Sequence, residues 1–257
     1  MAITIAGRGC EMTRQNNAIG QHEELHHQVQ EQLSQEPAGS DAAYILAEAL
    51  VEAEGLSLPE RGDVYAAALK RAQKAREFSI VDESPLPEGW PALSLPGLIR
   101  VKTYPPARTA WVEDPSARNR QFMVLFRHIK RQEIAMTAPV VMDYGDVVAS
   151  DGDQPTLGDT EAMAFLYRHT HQGQTGRFGQ VDVRDETPLQ VVSMGVKGSY
   201  SSRRFSKALG DLQAWLGKHP QWRPAGRPRV LAYNSPFVLP WRKYAEVQIP
   251  IEPAVDR

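Results

Sequence analysis

An internal duplication constrains this chain more than any other feature. Ile134-Ala-Met-Thr-Ala-Pro-Val-Val141 aligns without a gap on Leu231-Ala-Tyr-Asn-Ser-Pro-Phe-Val238, and each copy lies at the same place in a longer repeated order. In the first unit an extended segment over 98–113 is interrupted by Pro105-Pro106. Asp114 and Pro115 then offer an N-cap and an N1 proline. Phe122, Leu125, Phe126 and Ile129 share one helical face, and strands over 134–144 and 162–168 close the unit. The second unit repeats this: an extended segment over 181–196 broken by Pro188, then Ser201 or Ser202 as a cap. A helical stripe of Phe205, Leu209, Leu212 and Leu216 ends at Gly217, and strands follow over 230–239 and 244–251. The pattern is β–α–β–β, twice. Two such units predict a curved antiparallel sheet or distorted antiparallel β-barrel with pseudo-twofold symmetry and both helices on one side. The cleft between the halves is where a ligand would be sought.

The rest of the chain is lighter. Residues 1–40 are polar and rich in Gln, Glu and His, which predicts a mobile tail with at most one weak helix. Over 41–93 the sequence predicts a helical hairpin, with stripes of Ile45, Leu46, Ala49, Leu50 and of Tyr65, Ala68, Leu69, Ala72, followed by a Pro-rich linker. The repeated domain then occupies 94–257. The expected fold class is therefore α+β, with an N-terminal helical extension. A formal net charge of −2 gives no electrostatic footprint for nucleic acid or anionic membrane. The single cysteine, Cys10, excludes an intramolecular disulfide framework and fits a reducing compartment. No stretch approaches the roughly 20 apolar residues of a membrane helix, and the first residues lack the basic start of a signal peptide. The expectation is a soluble, cytoplasmic protein without nucleic-acid or membrane partners.

Several of these residues also resemble a known family. Tyr104-Pro-Pro106 in an early strand, a helix opening at Phe122, and Ile134-Ala-Met-Thr-Ala-Pro-Val140 are similar to the SOUL haem-binding family. Gly198-Ser-Tyr-Ser201, Tyr233-Asn-Ser-Pro-Phe237 and Tyr244-Ala-Glu-Val247 look like its later segments, so the resemblance covers roughly 94–251. It implies a twice-repeated β–α–β–β fold, shared with bacterial effector-binding domains, and an association with haem or other porphyrins. Two departures stand out: the connection Lys130-Arg-Gln-Glu133 is short, and His169-Thr-His171 is unlike the family after the fourth strand.

The residues then suggest where a tetrapyrrole would sit. There is no Cys-x-x-Cys-His, so attachment is non-covalent. Candidate iron donors are His128, His169, His171 and His219, with Met136 and Met194 weaker. His128 falls about 110° from the centre of its helix's apolar stripe, facing a groove or solvent. Arg127, Lys130 and Arg131 cluster at the end of the first repeat's helix, positioned to meet propionates, with the macrocycle on apolar residues near Met123 and Met136. Arg203, Arg204 and Lys207 form a second cluster at the start of the other helix, where the helix dipole disfavours cations. A rival site is the inter-repeat cleft, where Glu246 and Tyr244 share a strand face. Glu246 would there recognise a cationic effector or act as an acid or base, or else pair with Arg242 or Lys243 on an open face. Pro139 reads as an edge or bulge residue. His22-Glu-Glu-Leu-His26 matches H-E-x-x-H, but a polar tail gives it no scaffold. Gly198-Ser-Tyr-Ser-Ser202 is no nucleophile elbow. The chain thus reads as a binding protein rather than an enzyme, with a protein partner for its N-terminal helices as a further rival.

Overall fold

The structure, a computed structural model, describes the backbone over residues 6–114, 118–145, 157 and 160–254, and side chains from residue 22 onward within those ranges. Pro115 and the side chain of Cys10 lie outside the described residues. The chain forms two compact units, Met1–Ser79 and Ile80–Arg257.

The first unit is three helices, α1 (Ala6–Gln35), α2 (Asp41–Glu52) and α3 (Leu58–Glu77). The segment expected to be a tail is thus a 30-residue helix. Its sequence has no continuous apolar stripe, and an isolated helix of that kind is marginal in water. Tertiary partners supply the support. Val29 is buried with Ile45, Leu46 and Ala49 of α2 and Tyr65, Ala68 and Ala72 of α3. Arg76 of α3 donates to Glu36 at 2.5 Å and to Gln32 at 2.8 Å. Alanines on the facing stripes let the helices close on one another. Ser40 caps α2 through Ala43 N–H at 3.0 Å, and Ser57 with Glu60 forms a capping box on α3.

The second unit is built on one antiparallel sheet. Its strands are β1 (Ile99–Tyr104), β2 (Ala107–Glu113), β3 (Val140–Tyr144), β4 (Thr160–Leu166), β5 (Gly176–Phe178), β6 (Val181–Glu186), β7 (Leu189–Lys197), β8 (Trp222–Pro224), β9 (Arg229–Ala232) and β10 (Tyr244–Pro253). Helix α4 (Arg118–Arg131) precedes β3, and α5 (Ser202–Gly217) follows β7. The strand order is β1-β7-β10-β9-β3-β4-β2-β6-β5, with β8 on β10. Read outward from its middle, the order is β3-β4-β2-β6 on one side and β9-β10-β7-β1 on the other. The proline interruptions are corners. Pro105-Pro106 separates β1 from β2 and Pro188 separates β6 from β7, and each arm crosses to the other half, β1 pairing with β7 and β2 with β6. The pairings form an open path, and among the described residues none joins β1 to β5 to close a barrel.

One expectation fails in detail. The aligned octapeptides are not equivalent in space: Pro139 precedes β3, whereas Pro236 lies beyond the end of β9. The order of elements carries the duplication, and the local likeness is offset along the strands.

Alternation divides the sheet into two faces. On one face Ala110, Met142, Phe165, Val183, Val192, Val230, Ala245, Val247 and Ile249 join Leu125 and Ile129 of α4 and Phe205, Leu209 and Leu212 of α5 in the core. Helix α4 lies on β2, β4 and β6, and α5 on β7 and β10. The other face carries Lys102, Tyr104, Ser193, Tyr244, Glu246 and Gln248, all buried. No helix covers it. The covering comes from residues 80–98, the segment expected to be a linker, which is fixed along its length. Asn234 Nδ2 donates to Val81 O at 2.7 Å, Ala138 N to Pro85 O at 3.0 Å, and Glu88 N to Arg168 O at 2.9 Å. Gly97 N bonds Gly195 O at 2.8 Å. This strap is part of the domain, and no helix among the described residues is long and apolar enough to cross a membrane.

Candidate functional site

Helix α4 carries the first group of site residues. Leu125, His128 and Ile129 face the core, while Met123, 42% exposed, and Arg127, Lys130 and Arg131 face outward. Positions 123, 127 and 130 recur at helical spacing and form one stripe. Beside it lies a half-buried aromatic shelf, Phe122 and Phe126, with ring centroids 6.1 Å apart and Phe122 edge-on to Phe165 at 5.1 Å. Lys130 Nζ stands 5.6 Å over the Phe126 ring. Met136, half-buried, packs against the same core. Arg127, Lys130 and Arg131 enter none of the ion pairs formed among the described residues.

His128 is oriented inward. It is 6% exposed, and its Nε2 lies 2.9 Å from Tyr167 Oη, with the Phe178 ring 5.4 Å away. Burial, reinforced by the Arg131 charge, holds its pKa below the usual histidine range, so the ring is neutral near pH 7. Burial pushes the Tyr167 phenol up to about 12. His128 is therefore a core hydrogen-bonding residue, and the cations of α4 stand without an imidazole beside them on the outer face. His169 Nδ1 donates to Glu88 at 2.9 Å, and the ring stacks with His171 at 5.2 Å. His169 borders a cavity of about 220 Å³ also lined by Pro87, Glu88 and Tyr167, below the roughly 300–1,000 Å³ typical of small-molecule sites. His219 stacks on Trp215 at 3.6 Å. In the helical unit His22 and His26 rest against Tyr65, with centroids 5.7 and 5.4 Å away. The described residues contain no cluster of three side chains able to hold a metal.

The same end of the sheet holds further surface features. The start of β3 pairs with the end of β9, which pairs with the start of β10, which pairs with the end of β7. The C-terminus of α4 and the N-terminus of α5 therefore both connect to this end. Arg203 and Arg204 are exposed there, while Lys207 pairs with Asp211 at 2.8 Å. So does the β9–β10 loop, whose Phe237 is 94% exposed and Trp241 65% exposed. The strand expected over 230–239 ends at Ala232, so Phe237 lies in the loop that follows it.

The rival residues Glu246 and Tyr244 are fully buried. Glu246 Oε1 takes Lys102 Nζ at 2.6 Å, Tyr244 Oη at 3.0 Å and the Ser94 N–H at 3.1 Å. Its Oε2 takes Tyr104 Oη at 2.7 Å and Tyr233 Oη at 3.3 Å. A further shell fixes these donors. Trp90 Nε1 donates to Tyr233 Oη at 3.2 Å, Gln248 Nε2 to Tyr104 Oη at 2.6 Å, and Arg229 Nε to Gln248 Oε1 at 2.9 Å. Burial alone would raise the Glu246 pKa, but the Lys102 charge and the hydrogen bonds outweigh it and hold the carboxyl below its usual range. Burial, and then the Glu246 charge, pushes the Tyr104 and Tyr233 phenols well above theirs. The expected partners Arg242 and Lys243 are not the ones used. The cation is Lys102, 144 positions away in sequence.

The model of the SOUL heme-binding proteins matches residues 96–250. The chain belongs to the SOUL heme-binding protein family. The match spans β1 to β10 and leaves the helical unit outside it. Among solved structures, the SOUL domain is similar to the EcmrR C-terminal domain at 16% identity and TM-score 0.46, covering 61% of this chain and 98% of that one. It is also similar to an uncharacterized conserved protein from Listeria innocua at 10% identity and TM-score 0.44, covering 61% and 93%. No curated protein matches the chain.

Proposed function

We propose that this SOUL protein binds haem or a related tetrapyrrole reversibly and non-covalently, on the outer face of α4. One observation carries the placement: Met123 is exposed in a stripe with Arg127 and Lys130, beside the Phe122–Phe126 shelf. A porphyrin is a flat apolar plate with anionic propionates. Partly exposed aromatic and thioether groups suit the plate. Guanidinium and ammonium groups suit the propionates, with Arg127 and Arg131 able to bind in bidentate fashion. Haem also brings an iron, and that part of the group fits less well. His128 is directed into the core and bonded to Tyr167, so the residues here support recognition of the ring and its carboxylates without histidine ligation from α4. Arg203, Arg204, Phe237 and Trp241, at the same end of the sheet, extend the basic and apolar surface available to such a ligand.

A binding role is favoured over catalysis because the one acid/base candidate in the cleft is consumed. Glu246 already accepts six hydrogen bonds, and Lys102 neutralises it. The effector-binding reading meets the same obstacle. The test is charge reversal on α4. Arg127→Glu with Lys130→Glu is expected to weaken protoporphyrin IX binding by at least about tenfold, the factor for losing one charge-assisted contact, with the circular dichroism unchanged. Unchanged affinity in that folded variant would remove α4 as the site.

A further inference from the structure

The Glu246 cluster is an assembled binding site as well as a piece of packing. A carboxylate at 0% exposure is surrounded by three phenol hydroxyls and a backbone N–H. Tyr104 is fixed by Gln248 and Tyr233 by Trp90. These neutral groups orient the carboxylate, and the Lys102 charge joins them in holding it ionised against burial. The cation comes from elsewhere in the sheet: Lys102 lies on β1, and Glu246 on β10, with β7 between them. On that face β7 presents Val191 opposite Lys102, then Ser193, then Gly195 opposite Glu246. Its ammonium bonds Glu246 Oε1 at 2.6 Å and the strap carbonyl of Ala92 at 2.8 Å. The strap also seals the site: Tyr244 Oη lies 2.7 Å from Ser94 O and shares its one proton between that carbonyl and Glu246, and Trp90 packs edge-on to Tyr104 at 4.6 Å.

We infer that the Glu246 cage is a receptor site for a primary ammonium group, and that its resident ligand is the side chain of Lys102, held under the strap of residues 90–94. The hydroxyls, the Ser94 N–H and the carboxyl group belong to other residues, so removing the Lys102 side chain beyond Cβ leaves a vacant ammonium site beside Glu246. The missing atoms of Lys102→Ala are those of n-propylammonium. Specificity follows from the donors. A primary ammonium can bond both Glu246 and Ala92 O, whereas a quaternary ammonium keeps the charge but has no N–H to give. In the native chain Lys102 holds the position by attachment, so dissolved amines do not displace it.

The experiment is chemical rescue of the full chain. Lys102→Ala is expected to lower the melting midpoint of the sheet unit. Millimolar n-propylammonium chloride should restore at least half of the loss, and saturably. Sodium chloride at equal ionic strength, n-propanol and tetramethylammonium should not, and the wild type should not respond. Direct titration should favour propylammonium over tetramethylammonium by about tenfold, the factor for one charge-assisted hydrogen bond. Lys102→Met with Glu246→Gln removes both charges and should show no rescue. If Lys102→Ala does not fold alone, refolding yield with and without propylammonium replaces the midpoint. A wild-type midpoint in Lys102→Ala overturns the inference. So does a loss that propylammonium recovers no better than sodium chloride, or a refolding yield it does not raise.

Discussion

Gly195→Ala tests the seating of the strap with the least chemistry. Gly195 lies inside β7, opposite Glu246, and its backbone needs no left-handed conformation. On backbone grounds alone the change should stabilise, by about 1 kcal/mol, because alanine restricts the unfolded chain. The structure reverses that sign. A Cβ at 195 would stand 2.6 Å from Ser94 O, 2.9 Å from Tyr244 Oη and 3.1 Å from Leu95 O. Two of the three are backbone carbonyls held by the strap's own hydrogen bonds, so the strap must lift. Overpacking of this kind costs about 1–3 kcal/mol. Lifting Ser94 also strains its N–H bond to the Glu246 carboxylate, an interaction worth about 1.5–3 kcal/mol. With the entropic gain subtracted, the net loss is about 1.5–5 kcal/mol. For a unit of this size that lowers the melting midpoint by roughly 3–20 °C. Thermal unfolding followed by circular dichroism measures it. Gly217→Ala, at the end of α5 with no atom within 4 Å of the added carbon, is the matched control and should not lower the midpoint. A Gly195→Ala protein melting within about 1 °C of wild type would refute the close approach of strap and sheet.

Other expectations follow from the same contacts. The His128 pKa is depressed in the folded state, so the unfolded chain binds more protons as the pH falls below the ordinary histidine value of about 6.5. Stability should be fully present above that value and decline as the pH falls through the folded pKa; in urea titrations across this range His128→Gln should remove that component. Tyr167→Phe leaves His128 Nε2 without its partner and should cost about 1 kcal/mol in the same assay. In the helical unit, Ser40→Ala removes the α2 cap to Ala43 and should cost about 1 kcal/mol, read as a lower midpoint for helix loss.

The order of elements was legible from the sequence because it rests on local signals. Phe205, Leu209 and Leu212 recur at helical spacing and are buried, and the proline pairs fall where extended segments turn. The strap was not legible. Pro85, Pro87, Pro91 and Pro96 mark a chain that forms neither helix nor ladder, and such a chain reads as a linker whether or not it is docked. Gly195 was the available clue, since a glycine inside a strand signals close approach of another backbone. The pairing of Glu246 was hidden for a different reason. Its own strand offers Arg242 and Lys243 nearby, and the use of Lys102 depends on β1 lying one strand beyond β7, a consequence of the crossed arms. His128 was expected to face a groove or solvent from the flank of its helix, and the angle does not say that Tyr167 and Phe178 cover that flank. Helix α1 was missed because its support comes from α2 and α3 and not from its own pattern.

The central claim is tetrapyrrole binding on α4 without an iron ligand from His128. The most direct measurement is a titration of the purified protein with hemin and with metal-free protoporphyrin IX, followed by absorbance, with an unrelated protein as control. The account predicts saturable one-to-one binding of both, with affinities within about threefold of each other because iron makes no essential bond. Hemin binding that vanishes for the metal-free ring, or binding of neither beyond the control, would contradict it.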